Sequence, residues 1–160
     1  MTGIFGKGQE REFSLEIRHL TYEHVVSLIE LGNRNKEEFK HFTPHAFSRE
    51  AITEIVDESK LDLYYVVLYE GKVIGYGMLR GMDEGYNVPS LGIGIDKEFY
   101  GTGVATTLME FLEATSILRG YKKMRLRVYK ENPRAFYFYT KLGYTYEPYD
   151  DESVLGLKEL

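Results

Sequence analysis

The feature that most constrains the fold is a strand, a glycine-rich loop and a helix that follow one another directly. An apolar run at residues 91–95 leads through a turn at 96–100 into small residues at 101–105. Apolar residues at helical spacing then predict an amphipathic helix: Val104, Leu108, Phe111, Leu112 and Leu118. Gly120 predicts its end. Because the first amides of a helix lack intrahelical acceptors and glycines allow close approach, this arrangement is typical of phosphate-binding loops.

Two familiar nucleotide-binding loops do not fit this stretch. A P-loop requires Gly-x-x-x-x-Gly-Lys-Ser/Thr, and the sequence contains none. A Rossmann fingerprint requires a third glycine or alanine where Thr106 stands. It also requires an acid at the end of the next strand, where Arg125 and Arg127 lie instead. On the two loop glycines alone, a tight turn without a ligand is an equal alternative.

A second motif, downstream of a strand predicted at residues 124–129, favours a ligand. It is carried by Asn132, Ala135, Tyr139, Gly143 and Tyr144. The glycine loop itself reads Tyr100-Gly101-Thr102-Gly103-Val104-Ala105. In this order the two motifs resemble those of the GCN5-related N-acetyltransferase (GNAT) superfamily, Arg/Gln-x-x-Gly-x-Gly/Ala and Asn-x-x-Ala-x-x-x-Tyr-x-x-x-Gly-Phe. Tyr100 departs from the usual Arg or Gln, and Tyr144 departs from the usual Phe.

The resemblance implies an α+β fold with a mixed, mostly antiparallel sheet of six to seven strands flanked by about four helices. The implied element order is β-α-α-β-β-β-α-β-α-β-β. Residue patterns agree with this order, because a hairpin is predicted from strands at 63–69 and 73–80. Thr21 and Ser48 are predicted N-caps of the first two helices. The residues after Tyr144 are predicted to form a loop and a final strand.

The resemblance also implies a function. We expect an N-acetyltransferase that uses acetyl-CoA (coenzyme A) as co-substrate, without a metal and without a covalent enzyme intermediate. The expected acceptor is a primary amine of a small molecule, a peptide N-terminus or a lysine. Two alternatives stay open: an O-acyltransferase or longer-chain donor on the same scaffold, and a catalytically weak sensor that binds acyl-CoA.

The expected coenzyme A site combines a strand edge, the glycine loop and the second motif. Pantetheine is rich in amides, so an exposed strand edge can hydrogen-bond it. The residues expected to bind the cofactor are Ile93, Gly94, Ile95, Tyr100, Gly101, Thr102, Gly103, Val104, Ala105, Thr106, Asn132, Ala135 and Tyr139. Gly92 and Gly94 suit a bulge or splay that opens a gap between strands, or they relieve crowding against a helix. Asn132 precedes Pro133, so it is also a candidate helix N-cap.

Tyr139 matches the tyrosine that protonates the departing thiolate in the family. A phenol with a pKa near ~10 can donate a proton to a basic thiolate. Its alternative role is in the hydrophobic core, because residues 136–139 are all aromatic. The general base is less defined, since the strand before the glycine loop carries no acid. Asp83 and Glu84 in the preceding loop are candidates, directly or through water, and His41 and His45 are the other option.

The acceptor pocket is expected near residues 39–47, which combine aromatic residues with two histidines. In the family, acceptor specificity commonly resides between the first two helices. His41, His45 and Tyr86 are therefore predicted to contact the acceptor. A solvated loop residue is the alternative for each base candidate, Asp83, Glu84, His41 and His45.

Composition limits the remaining possibilities. The 160-residue chain is predicted to hold one domain, residues 13–160, which starts with a strand at 13–17 after a flexible leader at 1–12. The net charge of −5 argues against nonspecific nucleic-acid binding. No stretch has the apolar length of a signal peptide or membrane span, so we expect a cytoplasmic protein without a membrane partner. The absence of cysteine excludes disulfides and thiolate metal sites. The oligomeric state is open, and a homodimer is one alternative.

Overall fold

The computed structural model describes residues 14–160, which form seven strands and four α-helices. The strands are β1 (Leu15–His19), β2 (Leu63–Tyr69), β3 (Lys72–Arg80), β4 (Ser90–Ile95), β5 (Lys123–Tyr129), β6 (Thr145–Pro148) and β7 (Ser153–Glu159). The helices are α1 (Val25–Arg34), α2 (Arg49–Glu58), α3 (Val104–Leu118) and α4 (Pro133–Lys141). The order matches the predicted succession of elements. The predicted leader and Phe13 lie outside the described residues.

The seven strands form one sheet in the order β1-β2-β3-β4-β5-β7-β6. Every neighbouring pair is antiparallel except β4 and β5, which run parallel. The mixed, mostly antiparallel sheet that the sequence predicts is therefore confirmed. Within residues 14–160, no helix combines the length and apolar character needed to cross a lipid bilayer.

The two edges of β4 differ sharply in how they pair. Along β3 the pairing is continuous, from Gly75 opposite Ile95 to Arg80 opposite Ser90. Along β5 the only paired residues are Ser90 and Arg125. The two parallel strands therefore separate beyond Ser90 and open a gap towards the glycine loop. This gap is the predicted splay between strands, and the pairing of β4 with β3 contains no bulge.

Two hydrophobic cores pack against the opposite faces of the sheet. One core is covered by α3 and α4 and contains the fully buried residues Leu108, Met109, Leu112 and Met124. The other is covered by α1 and α2 and contains Leu28, Leu31, Ile52 and Tyr76. Each fully buried side chain of this size contributes about 1.5–3 kcal/mol relative to exposure. The helices are thereby held on the sheet, and with them the loops that border the gap.

Local signals account for most element boundaries. Ser48 caps α2 by accepting a hydrogen bond from the Ala51 N–H (3.2 Å), as predicted. Thr21 forms a capping box with His24, but a short 3-10 turn intervenes before α1 begins. Gly120 has φ = 87° after α3, the left-handed conformation that ends many helices. The tail contains β6 in addition to the final strand, in agreement with the two terminal strands of the predicted order.

Candidate active site

A cleft with a volume of about 380 Å³ occupies the gap between β4 and β5. It is lined by β4, the glycine loop, β5, the start of α4 and the segment that precedes α2. The predicted cofactor-binding residues that line it are Ile93, Gly94, Ile95, Tyr100, Gly101, Gly103, Ala105, Thr106, Asn132, Ala135 and Tyr139. Of the other two, Val104 is buried in the core and Thr102 has an exposed side chain. The fold thus brings both sequence motifs to a single cavity.

The glycine loop turns its backbone towards the cleft. Gly101 has φ = 76° and Gly103 has φ = 90°, so both adopt the left-handed conformation that favours glycine. The first amide that bonds along α3 is that of Thr107, which donates to the Gly103 carbonyl (3.0 Å). The preceding amides of the first turn have no intrahelical acceptor, and the helix dipole makes this end electropositive. The arrangement can hold an anionic group such as a phosphate.

The turn before the glycine loop is anchored by the end of α1. Arg34 donates from Nε to Oδ2 of the fully buried Asp96 (2.7 Å) and from Nη2 to the Val73 carbonyl (2.7 Å). Asn35, also buried, accepts the Lys97 N–H (2.9 Å). Burial alone would raise the pKa of Asp96, but the Arg34 guanidinium and the Glu98 amide outweigh it and lower that pKa. These contacts set the direction in which the loop leaves β4.

Arg134 lies over the ring of Tyr100 at the opening of the cleft. Its guanidinium carbon is 3.6 Å from the ring centroid, and both residues line the cavity. Tyr100 stands where the family motif usually has Arg or Gln, so the positive charge at this position comes from α4 instead. Arg134 lies inside the second motif but was not predicted from the sequence, because no local pattern indicates its contact with Tyr100.

Tyr139 has a buried ring and a hydroxyl without a partner. The residue is 8% exposed, and its ring packs edge-on against Tyr144 with centroids 5.7 Å apart. Within residues 14–160 its hydroxyl makes no hydrogen bond, although Tyr139 lines the cleft. Burial raises the pKa of Tyr139 above its ordinary value, so the hydroxyl keeps its proton at neutral pH. Its position is therefore compatible with both predicted roles, core packing and proton donation to a thiolate in the cleft, and the second stays a prediction.

Asn132 caps α4 and also faces the cleft. Its Oδ1 accepts a hydrogen bond from the Ala135 N–H (3.2 Å), and Pro133 follows at the first helical position. In the described part of the chain, the side-chain NH₂ of Asn132 has no acceptor. Capping uses only the acceptor oxygen, so the two donor hydrogens are available to a ligand in the cleft.

Gly92 and Gly94 make room for an aromatic side chain from the segment before α2. A Cβ atom at Gly94 would lie 2.5 Å from Cε2 of Phe42, and one at Gly92 would lie 3.4 Å from Cε1 of the same ring. Phe42 in turn packs edge-on against the buried Phe39, with centroids 5.3 Å apart. Both predicted features are therefore present: β4 splays away from β5, and the two glycines relieve crowding, against this aromatic segment rather than a helix.

His41 and His45, predicted together, lie in different environments. His41 lines the cleft and stacks on Tyr129 of β5, with ring centroids 4.7 Å apart. His45 does not line it: Nδ1 donates to the Ala46 carbonyl (2.7 Å), so Nε2 accepts from the Tyr76 hydroxyl (2.8 Å). Burial lowers the pKa of His45. Among residues 14–160, no group of three or more His, Asp or Glu side chains could hold a metal ion.

The loop between β3 and β4 keeps its predicted candidates away from the cleft lining. The Asp83 carboxylate accepts the backbone N–H groups of residues 60–62, at 3.1, 2.8 and 3.2 Å. These bonds, that of Leu61 foremost, lower the pKa of Asp83. Glu84 is exposed, and Tyr86 is 54% exposed beneath the guanidinium of Arg125. The roles of Asp83, Glu84 and Tyr86 stay predictions, and their placement lends them no support.

Residues 28–144 match the acetyltransferase (GNAT) family. The match covers more than half of the chain, so the chain belongs to the GNAT family of acetyltransferases. A curated relative, the acetyltransferase plu1384 of Photorhabdus laumondii, is 34% identical over 99 residues, which are 62% of this chain and 66% of that protein. The chain thus spans just under two thirds of the length of this relative.

Solved structures share the fold over nearly the whole chain. The PaiA N-acetyltransferase of Thermoplasma acidophilum, in complex with coenzyme A, superposes with a TM-score of 0.77 at 22% identity, covering 92% of this chain and 99% of that one. The spermidine N-acetyltransferase of Vibrio cholerae, in complex with coenzyme A and spermine, gives a TM-score of 0.75 at 21% identity, covering 91% and 95%. At these identities the likeness establishes the fold.

Proposed function

We propose that this GNAT-family protein transfers the acetyl group of acetyl-CoA to a primary amine by direct attack. The observation that carries the proposal is the single cleft between β4 and β5, which joins the free amides at the start of α3 to the unpartnered hydroxyl of Tyr139. Family membership supports acyl transfer in general. The solved N-acetyltransferases with this fold support an amine as the acceptor.

The donor is held mainly by backbone groups. The amides of the first turn of α3 and the glycine loop would bind the pyrophosphate, with Arg134 adding a positive charge beside it. The edge of β4 that leaves β5 beyond Ser90 offers its backbone groups to the amides of pantetheine, as a pairing strand would. The NH₂ group of Asn132 supplies a further donor at the opposite side of the cleft.

Tyr139 would protonate the leaving group. When the acceptor nitrogen forms its bond to the acetyl carbon, the carbon–sulfur bond breaks and the thiolate takes the hydroxyl proton of Tyr139. The hydroxyl suits this role because burial keeps it protonated and because it makes no hydrogen bond to any residue in 14–160. Solvent then returns a proton to the phenolate, and the proton lost by the amine leaves through a base.

The acceptor would approach from the face that carries His41 and Phe42, opposite the core beneath α3. The Phe42 ring lies against Gly92 and Gly94 of β4, the His41 ring stacks on Tyr129 of β5, and both residues line the cleft. We propose a small amine or the end of a peptide as the acceptor. The cytoplasmic location, the homodimer and the single domain over residues 13–160 stay predictions.

Two measurements test the proposal. The melting temperature should rise with millimolar acetyl-CoA, because a ligand at ~100 times its dissociation constant adds about 2.7 kcal/mol to the free energy of unfolding. Thiol release should then be followed with polyamines, amino acids, amino sugars, aminoglycosides, peptides and matched alcohols. Release with an amine confirms the proposal, and release only with alcohols indicates O-acyl transfer. Tight coenzyme A binding without turnover on any acceptor would favour the acyl-CoA sensor. An unchanged melting temperature would exclude both the acyltransferase and the sensor.

A further inference from the structure

The cleft has few groups able to take a proton from the acceptor. An amine with a pKa near ~10 carries a proton at neutral pH, and its nitrogen must be free of it before attack. β4 contributes no ionisable side chain to the described cleft. The lining side chains able to act as a base near neutral pH are Glu38 and His41.

Glu38 belongs to the phosphate end of the cleft. Its Oε1 lies 3.4 Å from Nζ of Lys97, the residue that leads from β4 towards the glycine loop. A carboxylate paired with a lysine beside the pyrophosphate site is poorly placed to receive a proton from the acceptor. His41 is three residues further along, where the segment crosses from β4 to β5.

His41 spans the opening of the cleft on the acceptor side. Its neighbour Phe42 is seated on Gly94 of β4, whereas the His41 ring stacks on Tyr129 of β5 at 4.7 Å with 23° between the planes. The ring is therefore fixed against β5. Nε2 is buried without a hydrogen-bond partner, and it lies 3.6 Å from Oε2 of Glu131.

From this geometry we infer that His41 is the general base of the reaction and that Glu131 positions it. The inference rests on the proposed function. Glu131 accepts the N–H of Nε2 after a small movement of its exposed side chain. Nδ1, which makes no hydrogen bond among residues 14–160, then holds the lone pair that takes the proton.

The proton balance of the step is complete. Nδ1 of His41 first takes one proton from the acceptor ammonium and releases it to water, and it then takes a second proton from the attacking amine as the carbon–nitrogen bond forms. The carbon–sulfur bond breaks, and the hydroxyl of Tyr139 gives its proton to the thiolate. Water removes the proton from the imidazolium and restores that of the phenol, so the products are the amide and the free thiol of coenzyme A.

The charges that face His41 come from three elements. Glu131, two residues after β5, lies nearest, with its Oε2 3.6 Å from Nε2. Glu38 lines the cleft on the same segment. Arg127 lies 4.7 Å from the Tyr129 ring on which His41 stacks, and it is ion-paired with the Asp150 carboxylate at 2.5 Å.

Bromoacetyl-CoA tests the position of His41 without a known acceptor. It carries an electrophilic carbon where acetyl-CoA has its methyl group, so a nearby imidazole displaces bromide and forms a nitrogen–carbon bond. The chain has no cysteine to compete for the reagent. Mass spectrometry should locate one adduct on His41, and excess acetyl-CoA, which has no free thiol to consume the reagent, should suppress it. His41→Gln and His41→Phe should lose the adduct, while His45→Gln, the matched histidine outside the cleft, should retain it.

The role of Glu131 is tested by the rate of the same reaction. Glu131→Gln should slow the alkylation of His41, because an amide holds the imidazole N–H less firmly than a carboxylate, and Glu131→Asp should restore the rate. On any amine found by thiol release, His41→Gln should lower turnover by about 10²-fold, with coenzyme A affinity changed by less than about threefold. An adduct elsewhere, or none, in a protein that binds coenzyme A would overturn the assignment. A protein that does not bind coenzyme A would overturn the proposed function together with it.

Discussion

The two sides of the cleft are built by different means. The donor wall, formed by β4 and residues 101–106, presents backbone groups, and two of its glycines adopt left-handed conformations. The opposite wall, called the acceptor wall after its proposed role, is formed by Phe39, His41 and Phe42 with Tyr129, and it presents side chains that pack on one another. A wall of backbone amides can hold an unchanging phosphate group whatever side chains surround it. A wall of side chains can change with the acceptor while the fold stays the same.

The departure at Tyr100 illustrates the difference. The usual Arg or Gln is missing from the donor wall, yet the backbone conformation and the amides of α3 are intact. Arg134 brings a guanidinium to the same place from another element. No comparable substitute is available on the acceptor wall, where the exchange of one ring alters the shape that an acceptor meets.

The largest effect is expected at Tyr139, which lines the cleft between the two walls. Tyr139→Phe removes the proton donor but keeps the ring packing, so turnover should fall by roughly 10²-fold. Coenzyme A affinity should change by less than about threefold. Tyr137→Phe, on the exposed side of α4, is the matched control and should leave turnover unchanged. Full turnover by the Tyr139 variant would assign this residue to the core alone.

A methyl group at Gly94 should disturb the acceptor wall. Its carbon would lie 2.5 Å from the Phe42 ring, so Gly94→Ala should destabilise the fold by about 1–3 kcal/mol, measured by urea unfolding. Gly92→Ala, with its nearest contacts at 3.3 Å, should cost less than about 1 kcal/mol. Adding Phe42→Leu to Gly94→Ala should recover part of the loss. Equal stabilities for the two alanine variants would contradict the packing of Phe42 on Gly94.

A negative charge on the donor wall should weaken coenzyme A binding. Thr106→Glu places a carboxylate in the cleft lining, where it repels the pyrophosphate, and affinity should fall by about 10-fold, or ~1.4 kcal/mol. Thr107→Glu adds the same charge one residue later, on the exposed side of α3, and should have a smaller effect. Both acids are favourable in the first turn of a helix, so the fold should persist. Equal coenzyme A affinities for the Thr106 and Thr107 variants, measured by calorimetry, would indicate that the pyrophosphate binds elsewhere.

A smaller loss is expected when Arg134 loses its charge. Arg134→Gln should weaken coenzyme A binding by about 3- to 5-fold at low salt, because the side chain is exposed and screened. The difference from the unmodified protein should shrink as ionic strength rises. Lys141→Gln, at the other end of α4, makes the same change in net charge and serves as the control. A loss that does not depend on salt would indicate packing on Tyr100 rather than charge.

The smallest effect is a pH dependence of stability at the edge of the acceptor wall. Burial lowers the pKa of His45, so the unfolded chain binds its proton more readily than the folded chain. The stability due to neutral His45 is complete above its usual pKa of 6.5 and is lost as the pH falls below that value. Urea unfolding at pH 7.5 and at pH 5.5 should show a lower free energy of unfolding at pH 5.5, and His45→Gln should make this difference smaller. An unchanged loss in the variant would assign it to other groups, His24 among them.

The sequence by itself determined the parts of this protein that depend on short-range patterns. The helical spacing of α3, the Ser48 and Asn132 caps and the two motifs each depend on residues close together in the chain. The element order and the cleft-lining residues of both motifs were therefore largely predictable. Propensity, capping and periodicity act at that range, and each is visible in the sequence.

Only the tertiary structure decided which candidate side chains face the cleft. The Asp83 carboxylate is held by backbone amides some twenty residues earlier, and the His45 ring is held by the Tyr76 hydroxyl from β3. His41 meets Tyr129 only because β4 and β5 separate beyond Ser90. A histidine that stacks in an open cleft and a histidine that is bonded beside the core look alike in sequence. Their difference arises from partners distant along the chain, which packing brings together and no local pattern specifies.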